Sequence, residues 1–346
     1  MMRKRLGKML AVMLMLSITA CSGPKQGTAA DSGNPEAARQ NIVLKIGTTS
    51  SAKGMPSRSA AYFQKRIEEL SGGTITCEQN IAGALGNTAQ HYAQLKEGSL
   101  DVFVTAYDTF NVMESGDDFS VCVVPYVFND IDHYMKWIDS DIYKEMVKKV
   151  EDANNVKVLG PVGKLASRGL STTAVPVHSV NDVENLKIRC PETPSMTAVW
   201  EAWGANPVII PASEIYTSLD GGICDGQDND VITTNNSGYA EVQKYYMELN
   251  YIQQCAVLVM SGSTWNKLDE TQRGWVEQAV GETLDGFSKE LDGEYEAAKE
   301  NMIGMNVEFI DVDIESFRSA ASEAIKKMDG NLFSQGLYDR IHALGD

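Results

Sequence analysis

Residues 42–77, IVLKIGTTSSAKGMPSRSAAYFQKRIEELSGGTITC, decide the predicted fold. Residues 42–46 form an apolar run that is typical of a buried strand. Apolar residues then recur at helical spacing, and Gly72 and Gly73 end the predicted helix. These apolar positions are Ala60, Phe63, Ile67 and Leu70. Residues 74–77 favour a second strand, and a strand, a helix and a strand in this order predict parallel strands joined by a crossover helix.

The same alternation continues to the end of the chain. We expect further strands at residues 100–105, 121–124, 156–159, 168–172, 186–189, 208–210, 256–260 and 307–310. We expect further helices at residues 88–97, 134–146, 194–203, 213–219, 264–302 and 314–328. The pattern predicts an α/β protein with mostly parallel sheets. Because no linker rich in proline or glycine separates the two halves, we expect two lobes joined by crossing strands and braced by the helix at 264–302.

The composition indicates a soluble, acidic protein of about two domains. The 346 residues are 43% hydrophobic and 22% charged, as is typical of globular chains, and they carry a formal charge of -17. Residues 1–20 hold four cations and no acid, so the remainder carries 26 cations against 47 acids, a charge of -21. This charge repels phosphate backbones and anionic lipid head groups, which argues against nucleic acid as a partner and against electrostatic docking to a membrane.

The first 40 residues predict export and a lipid anchor. A basic start and an apolar run at residues 9–18, too short to span a bilayer, are typical of a signal peptide over residues 1–20. Ile18-Thr19-Ala20-Cys21 resembles a bacterial lipobox, which implies cleavage before Cys21 and lipidation of its sulfur. Residues 21–40 are polar and rich in small residues, so we interpret them as a flexible tether that holds the protein at the cell membrane, outside the cytoplasm. The alternative is a short buried helix that ends in a cysteine.

The remaining motifs predict neither a cofactor nor a metal. An odd number of cysteines follows Cys21, and two interpretations stay open, buried free thiols or one disulfide. These cysteines are Cys77, Cys122, Cys190, Cys224 and Cys255. The four histidines are scattered without ligand spacing. Residues 225–230 are rich in oxygen ligands, but they lack the register and the bidentate glutamate of a calcium loop.

Six short motifs between residues 163 and 265 share one order and spacing with a known family. They are Ser167-Arg168-Gly169, Val183-Glu184-Asn185-Leu186-Lys187-Ile188-Arg189, Trp203-Gly204-Ala205-Asn206-Pro207, Ser213-Glu214-Ile215-Tyr216, Asp225-Gly226-Gln227-Asp228-Asn229 and Glu241-Val242-Gln243-Lys244-Tyr245. Together they resemble the solute receptors of tripartite ATP-independent periplasmic (TRAP) transporters, the DctP-like family. The resemblance implies a two-lobed, periplasmic-binding-protein-like α/β fold that closes around one small organic anion, usually a carboxylate.

The resemblance also implies which residues bind the ligand. Arg189 matches the arginine that clamps the carboxylate in this family, Arg168 matches a second basic contact, and Asn229 matches an amide that orients the same ligand. A guanidinium suits this role because its planar fork donates two parallel hydrogen bonds to a carboxylate. Arg189 also ends a predicted strand, where α/β sheets present ligand-binding groups. The alternative for each arginine is a surface cation with an ordinary carboxylate partner.

Other candidate contacts depart from the family pattern. Ala212 stands where many relatives carry an aromatic residue, and Glu214 and Tyr216 belong to the motif that follows it. Asn87 and Thr88 occupy a stretch that is charged in some relatives, so we expect neutral hydrogen bonds from the first lobe. Three further candidates in that lobe, which are equally consistent with polar strand ends, are Thr49, Ser50 and Tyr107.

The expected protein is a lipid-anchored receptor that captures an organic anion and delivers it to a membrane permease, without bond chemistry. We expect a first lobe at residues 41–165 and about 254–290, and a second lobe at residues 166–253 and about 291–346. Two alternatives stay open. One is a solute-sensing module for a membrane receptor, and the other is a secreted enzyme with an acidic pair such as Glu214 and Asp225.

Overall fold

The structure is a computed structural model that describes residues 41–345. The predicted signal peptide, Cys21 and the predicted tether lie outside these residues. Among the helices described, none has both the length and the apolar character needed to cross a membrane.

Strands and helices alternate along the chain. The strands are β1 (Ile42–Gly47), β2 (Ile75–Asn80), β3 (Val102–Ala106), β4 (Val156–Leu165), β5 (Gly169–Thr172), β6 (Lys187–Cys190), β7 (Asn206–Ile209), β8 (Gly226–Asn229), β9 (Tyr245–Met247), β10 (Gln254–Ser261) and β11 (Glu308–Ile310). The helices are α1 (Met55–Leu70), α2 (Thr88–Glu97), α3 (Ile131–Asp139), α4 (Asp141–Asn154), α5 (Pro194–Ala202), α6 (Ile215–Asp220), α7 (Val231–Asn236), α8 (Gly262–Lys267), α9 (Glu270–Gly304), α10 (Ile314–Met328) and α11 (Leu337–His342). Two 3-10 helices that follow β3 are Tyr107–Val112 and Asp117–Val123.

The first sheet has five strands in the order β2-β1-β3-β10-β4. β1 pairs in parallel with β2 and β3, as the sequence predicts. β10 instead pairs antiparallel with both β3 and β4, so the prediction of mostly parallel pairing is wrong for this half of the sheet. The reason is the route of the chain: β10 returns from the second sheet and enters beside the carboxyl end of β3, with Ala256 opposite Ala106.

The second sheet has six strands in the order β11-β9-β5-β8-β6-β7. β6 is parallel to β7 and β8, and β9 is parallel to β11, whereas β5 is antiparallel to β8 and β9. The sequence pattern does not predict β8, because that strand reads Gly-Gln-Asp-Asn and lacks apolar residues. Gln227 and Asp228 on this strand are nevertheless fully buried, which places polar groups inside the sheet.

Two neighbouring segments connect the sheets. Residues 166–168 lead from β4 to β5, and residues 248–253 lead from β9 back to β10. The backbone N–H of Arg168 donates to the carbonyl oxygen of Ile252 at 3.1 Å. The hydroxyl of Ser167 donates to the same oxygen at 3.0 Å. The sheets are therefore joined by paired crossing segments rather than by a single linker.

The long helix α9 packs against elements of both sheets. It lies on β4 and α1 on one side and on α7 on the other. Near its middle, the ring of Phe287 packs on Tyr62 of α1, with 6.4 Å between ring centroids. Farther along, the Lys299 ammonium pairs with Glu248 in a crossing segment at 3.0 Å. The predicted helix at 264–302 is two helices, α8 and α9, because Leu268 and Asp269 have extended backbone angles.

Two other predicted elements differ from the structure. Residues 121–124 are not a strand, since most of them end the 3-10 helix Asp117–Val123. The predicted helix at 134–146 is divided into α3 and α4 at Ser140. The Ser140 side chain accepts a hydrogen bond from the N–H of Tyr143 at 3.3 Å, and such a cap favours the start of a new helix.

The last residues of the chain return to elements that follow the first sheet. The backbone N–H of Ser334 donates to the Asp118 carboxylate at 2.8 Å, and a ring nitrogen of His133 lies 2.9 Å from the Ile341 carbonyl oxygen. Asp118 and His133 belong to the stretch assigned above to the first lobe, whereas residues 291–346 are assigned to the second. The lobe boundaries stay a prediction.

The five described cysteines are free thiols. This finding decides between the two interpretations that the sequence leaves open. Cys77 is half-buried, and the others are buried in separate elements. Burial raises the pKa of Cys77 and of Cys255 to about 12, so both stay protonated at neutral pH.

Candidate ligand-binding site

Three strands bring the main predicted ligand-binding residues to one edge of the second sheet. β6 and β8 are parallel, with Arg189 beside Gln227, so their carboxyl ends meet at this edge. β5 runs antiparallel to β8 with Gly169 beside Asn229, so β5 begins where β8 ends. Arg168 directly precedes β5. The fold therefore collects Arg189, Arg168 and Asn229 from distant parts of the sequence.

Arg189 is a buried cation without a carboxylate partner among the described residues. It is 4% exposed, and its Nε donates to the carbonyl oxygen of Ile210 at 2.9 Å. Within residues 41–345, its two terminal nitrogens donate no hydrogen bond to another residue. Burial lowers the pKa of Arg189, and the nearby charge of Asp228 acts in the opposite direction. Because a buried charge is costly until it is paired, these nitrogens favour an incoming anion.

Arg168, in contrast, has a carboxylate partner. Its Nε donates to Oδ2 of Asp228 at 3.0 Å, and its Nη2 donates to the backbone carbonyl of the same residue. The hydroxyl of Tyr251 donates to the same carboxylate oxygen. Burial disfavours the charge on Arg168, but the interactions with Asp228, Tyr251 and Asp108 together outweigh it and raise the pKa of Arg168 above its ordinary value. Arg168 is thus a fixed hydrogen-bond donor whose charge is already compensated.

Arg168 also reaches the first sheet. Its Nη1 lies 3.4 Å from Oε1 of Gln254, the first residue of β10. One side chain therefore links the ligand-binding edge of the second sheet to the facing strand of the first.

Asn229 ends β8 in a chain of side-chain amides and hydroxyls. Its Nδ2 donates to Oε1 of Gln227 at 2.5 Å. Gln227 in turn donates to the hydroxyls of Ser171 and Thr234, at 2.7 and 3.2 Å. Asn229 is only half-buried, and its side-chain oxygen accepts no hydrogen bond from another residue in the described range. These contacts fix the amide while one of its polar atoms stays available to a ligand.

Two predicted residues next to the first sheet also carry polar atoms without a hydrogen-bond partner among the described residues. Thr49 and Ser50 follow β1, and both are half-buried. Their hydroxyls form no hydrogen bond with another residue between 41 and 345. They lie at the carboxyl end of β1, which is parallel to β3.

Of the other residues predicted for the first lobe, Asn87 and Tyr107 have structural partners. Asn87 caps α2, since its side chain accepts from the N–H of Gln90 at 3.0 Å and its own backbone N–H donates to Oε1 of Gln90 at 2.8 Å. Thr88 is the half-buried first residue of that helix. Tyr107 is 1% exposed inside an aromatic cluster, and its hydroxyl lies 2.8 Å from that of Tyr143.

The segment after β7 meets Arg189 only through the carbonyl of Ile210. Ala212 and Glu214 are exposed. The hydroxyl of Tyr216 donates to Glu241 at 3.2 Å. The structure therefore does not bring these three predicted residues into hydrogen-bond contact with the arginines.

Glu214 and Asp225, the acidic pair considered for a secreted enzyme, lie at opposite ends of the strands of the second sheet. Glu214 follows the carboxyl end of β7, whereas Asp225 precedes β8. The Asp225 carboxylate accepts a hydrogen bond from the backbone N–H of Lys187, at the start of β6, at 2.8 Å. Asp225 therefore lies at the sheet edge opposite to Asn229.

Three residues around Arg168 escape the sequence prediction as site residues: Asp228, Tyr251 and Gln254. A signal exists only for Asp228, which adds a carboxylate next to Asn229 in the motif at 225–229. Tyr251 and Gln254 lie in a crossing segment and at the start of β10, and nothing in their local pattern points to Arg168.

An open cavity of about 640 Å³ lies elsewhere, beside β9 and β11. Its lining includes Lys244 together with Asp220, Glu241 and Glu308. Three acids against one lysine disfavour an anionic ligand, and none of the predicted site residues lines this cavity.

Comparison with known proteins identifies the class. Residues 46–331 match the family described as bacterial extracellular solute-binding protein, family 7 (DctP). The sialic acid-binding periplasmic protein SiaP of Vibrio cholerae is 26% identical over 305 residues, which cover 87% of this chain and 92% of SiaP. A TRAP periplasmic solute-binding protein of Pseudomonas putida F1, solved with bound D-glucuronate, has a TM-score of 0.77 and 27% identity, with 87% of this chain and 97% of that chain covered. The sugar acid-binding protein DctPAm of Advenella mimigardefordensis, solved with galactonate, has a TM-score of 0.81 and 19% identity, with 88% and 98% covered.

Two mixed α/β sheets with a long helix packed on both, and an unpaired arginine at a strand end, define a solute-binding receptor of the TRAP type. The chain belongs to the bacterial extracellular solute-binding protein family 7, the DctP family. The predicted fold class and the predicted role as an extracytoplasmic solute-binding receptor are thereby confirmed.

Proposed function

We propose that this receptor binds a hydroxylated organic acid whose carboxylate pairs with the terminal nitrogens of Arg189. The single observation that carries the proposal is the state of this guanidinium, which is 4% exposed and has no anionic partner among residues 41–345. An arginine stays charged at every physiological pH, and the nearby Asp228 carboxylate makes no ion pair with it, so its terminal nitrogens favour a bound anion.

The groups beside Arg189 can form further hydrogen bonds with a bound carboxylate. Arg168 keeps terminal N–H groups at the same edge, and its charge is balanced by Asp228. It therefore offers hydrogen bonds without adding a second net charge to the site. The amide of Asn229 supplies a further polar contact that is held in place by Gln227. Arg189 is the arginine of this edge without an ion pair among the described residues, and one unpaired guanidinium matches one carboxylate.

The relatives support the ligand class. SiaP is named for sialic acid, and the structures from Pseudomonas putida and Advenella mimigardefordensis contain glucuronate and galactonate. All three ligands join one carboxylate to several hydroxyl groups. Half-buried Thr49 and Ser50 carry free hydroxyls that would meet such a ligand from the first sheet.

Capture would occur by closure of two lobes, with the boundaries given above. A ligand that contacts both the second-sheet edge and the end of β1 favours the closed form, because affinity depends on the difference between open and closed contacts. The paired crossing segments around Ile252 are where the bending would take place.

The finer points of location and role belong to the same proposal. The protein would be exported, cleaved before Cys21, held at the membrane by a lipid on that cysteine, and would pass its ligand to a membrane permease without altering it. Mass spectrometry of the membrane-associated protein tests the anchor. A mature N-terminus at Cys21 with an added diacylglycerol is the expected result, and an unmodified cysteine contradicts it.

A thermal-shift and calorimetry series tests the ligand class. Galactonate and glucuronate are each compared with a neutral partner, galactitol for the first and glucose for the second, and sialic acid is tested beside them. An acid at a hundredfold excess over its dissociation constant should add about 2.7 kcal/mol to the free energy of unfolding, and the neutral partners should add nothing measurable. Equal binding of galactonate and galactitol, or no binding of any hydroxylated acid, contradicts the proposal.

A further inference from the structure

One carboxylate at the first sheet has no partner in the fold. Asp108 is the second residue of the 3-10 helix Tyr107–Val112, directly after β3, and it is half-buried. Its carboxylate receives a hydrogen bond from its own backbone N–H. No other residue in the described range 41–345 donates a hydrogen bond to it or forms an ion pair with it.

The fold brings Asp108 to the ligand-binding edge of the second sheet. Ala106, at the end of β3, lies opposite Ala256 of β10. Two residues earlier on β10, Gln254 accepts the hydrogen bond from Arg168. Burial raises the pKa of Asp108 above its ordinary value, and the charge of the neighbouring Arg168 acts in the opposite direction and favours the ionised carboxylate. Asp108 thus approaches from the first sheet the site that Arg189 defines on the second.

The other acids near Arg168 are already engaged. Asp228 accepts hydrogen bonds from Arg168 and Tyr251. Asp230 caps α7, with both of its oxygens bonded to Thr233. Oδ1 of Asp228 is buried and accepts no hydrogen bond within residues 41–345. Of these three carboxylates, Asp108 alone is both half-buried and without a partner on another described residue.

We propose that Asp108 determines specificity, by accepting a hydrogen bond from a hydroxyl group of a ligand whose carboxylate is held at Arg189, and by repelling ligands that carry a second carboxylate. The inference rests on the proposed function, because it assumes the carboxylate position there. An ionised carboxylate only accepts hydrogen bonds. A ligand hydroxyl satisfies it with a charge-assisted bond, whereas a second ligand carboxylate offers no donor and a like charge.

The ligands that separate these cases are hexose acids of one skeleton. Galactonate has one carboxylate and a terminal hydroxymethyl group, and galactarate has a carboxylate at both ends. Gluconate and glucarate form a second pair. The wild-type protein should bind the monocarboxylate at least about a hundredfold more tightly than the dicarboxylate, which corresponds to two tenfold steps in the dissociation constant.

Asp108→Asn is the test variant, since it keeps the shape and removes the charge. Calorimetry should show about tenfold weaker binding of the monocarboxylate and at least tenfold stronger binding of the dicarboxylate, so the preference collapses. Asp117→Asn is the matched control, because Asp117 is exposed and also lies in the first turn of a 3-10 helix. Its preference should equal that of the wild type.

Two results overturn the inference without touching the proposed function. One is a wild-type protein that binds galactarate as tightly as galactonate, a measurement that needs no variant. The other is a folded Asp108→Asn protein, checked by its melting temperature, with an unchanged preference. If Asp108→Asn does not fold, Asp108→Ser takes its place. Failure of every hydroxylated acid to bind wild-type protein instead removes the proposed function itself.

Discussion

Replacement of Arg189 by methionine removes one buried charge, and we expect it to affect protein stability and ligand affinity in opposite directions. In the ligand-free protein the guanidinium is 4% exposed and makes one hydrogen bond, from Nε to the Ile210 carbonyl oxygen at 2.9 Å. Methionine loses that bond, which is worth about 1.5–3 kcal/mol for a charged donor. It also removes an uncompensated buried charge, whose penalty is several kcal/mol. We therefore expect the free energy of unfolding of the ligand-free protein to stay equal or rise by about 1–2 kcal/mol.

Ligand binding should change in the opposite direction. Removal of one partner of a buried charge pair costs about 2–5 kcal/mol, which corresponds to roughly 30-fold to several thousand-fold weaker binding. Urea denaturation measures the first effect and isothermal titration calorimetry the second. Arg66→Met is the control, since Arg66 pairs with Glu282 and Glu69 on the surface. The control should keep full ligand affinity.

Either of two results refutes this reasoning. Near-native affinity in Arg189→Met means that the ligand carboxylate binds elsewhere. A loss of more than about 3 kcal/mol of stability in the ligand-free variant means that the charge is already compensated inside the fold, as expected when a paired buried cation is removed.

Three further predictions concern the groups around the site and the end of the chain. Asp228→Asn should lower the free energy of unfolding by about 3–5 kcal/mol, since it leaves the buried guanidinium of Arg168 unpaired; urea denaturation measures this loss. Asn87→Ala should cost about 1 kcal/mol of stability through the lost helix cap and change ligand affinity less than twofold, as measured by denaturation and calorimetry. Asp118→Asn should reduce the loss of stability in acid. Burial opposes ionisation of Asp118, but hydrogen bonds from Ser334 and Lys149 lower its pKa below the ordinary value. The stability that Asp118 contributes is therefore present above a pH of about 4 and is lost as the pH falls through the pKa of the folded protein.

Each of these predictions has a clear contrary outcome. Retained stability in Asp228→Asn would show that Arg168 finds another partner, and Arg168→Met in the same background should then lower the free energy of unfolding. A large loss of affinity in Asn87→Ala that Asn87→Ser does not restore would assign Asn87 to the ligand instead of the helix cap. For Asp118→Asn, an unfolding profile between pH 2 and pH 5 that matches the wild type would contradict the role given to that carboxylate.

Much of the fold follows from local patterns. The helix at 88–97 occupies the predicted residues because Asn87 and Gln90 cap its start and Gly98 ends it in a left-handed conformation. β8 escapes prediction because its polar side chains bond to Arg168, to Ser171 of β5 and to Thr234 of α7, and such partners are not visible from the strand itself. The antiparallel entry of β10 depends on the route between the sheets, which no local pattern encodes.

For the site, too, some properties can be predicted from the sequence, whereas others arise only when the chain is packed. The position of Arg189 at a strand end is readable from sequence, but the lack of a partner for its guanidinium is a property of the packed protein. The difference between Arg189 and Arg168 arises because β8 carries Asp228 next to one arginine and not in hydrogen-bond contact with the other. For Tyr107 and Asn87, the polar groups that the sequence offers to a ligand have partners in the core and at a helix start.

Because the cysteines are free thiols, the speed of folding matters for this protein. In an oxidising compartment, a chain that emerges unfolded would expose five nucleophilic sulfurs that can form wrong crosslinks, and no native crosslink is available to guide them. Burial, which is complete for four of these sulfurs and partial for Cys77, therefore protects them only once folding is complete. A slow folding variant of this receptor should accumulate as disulfide-linked oligomers, even when its finished structure is as stable as that of the wild type.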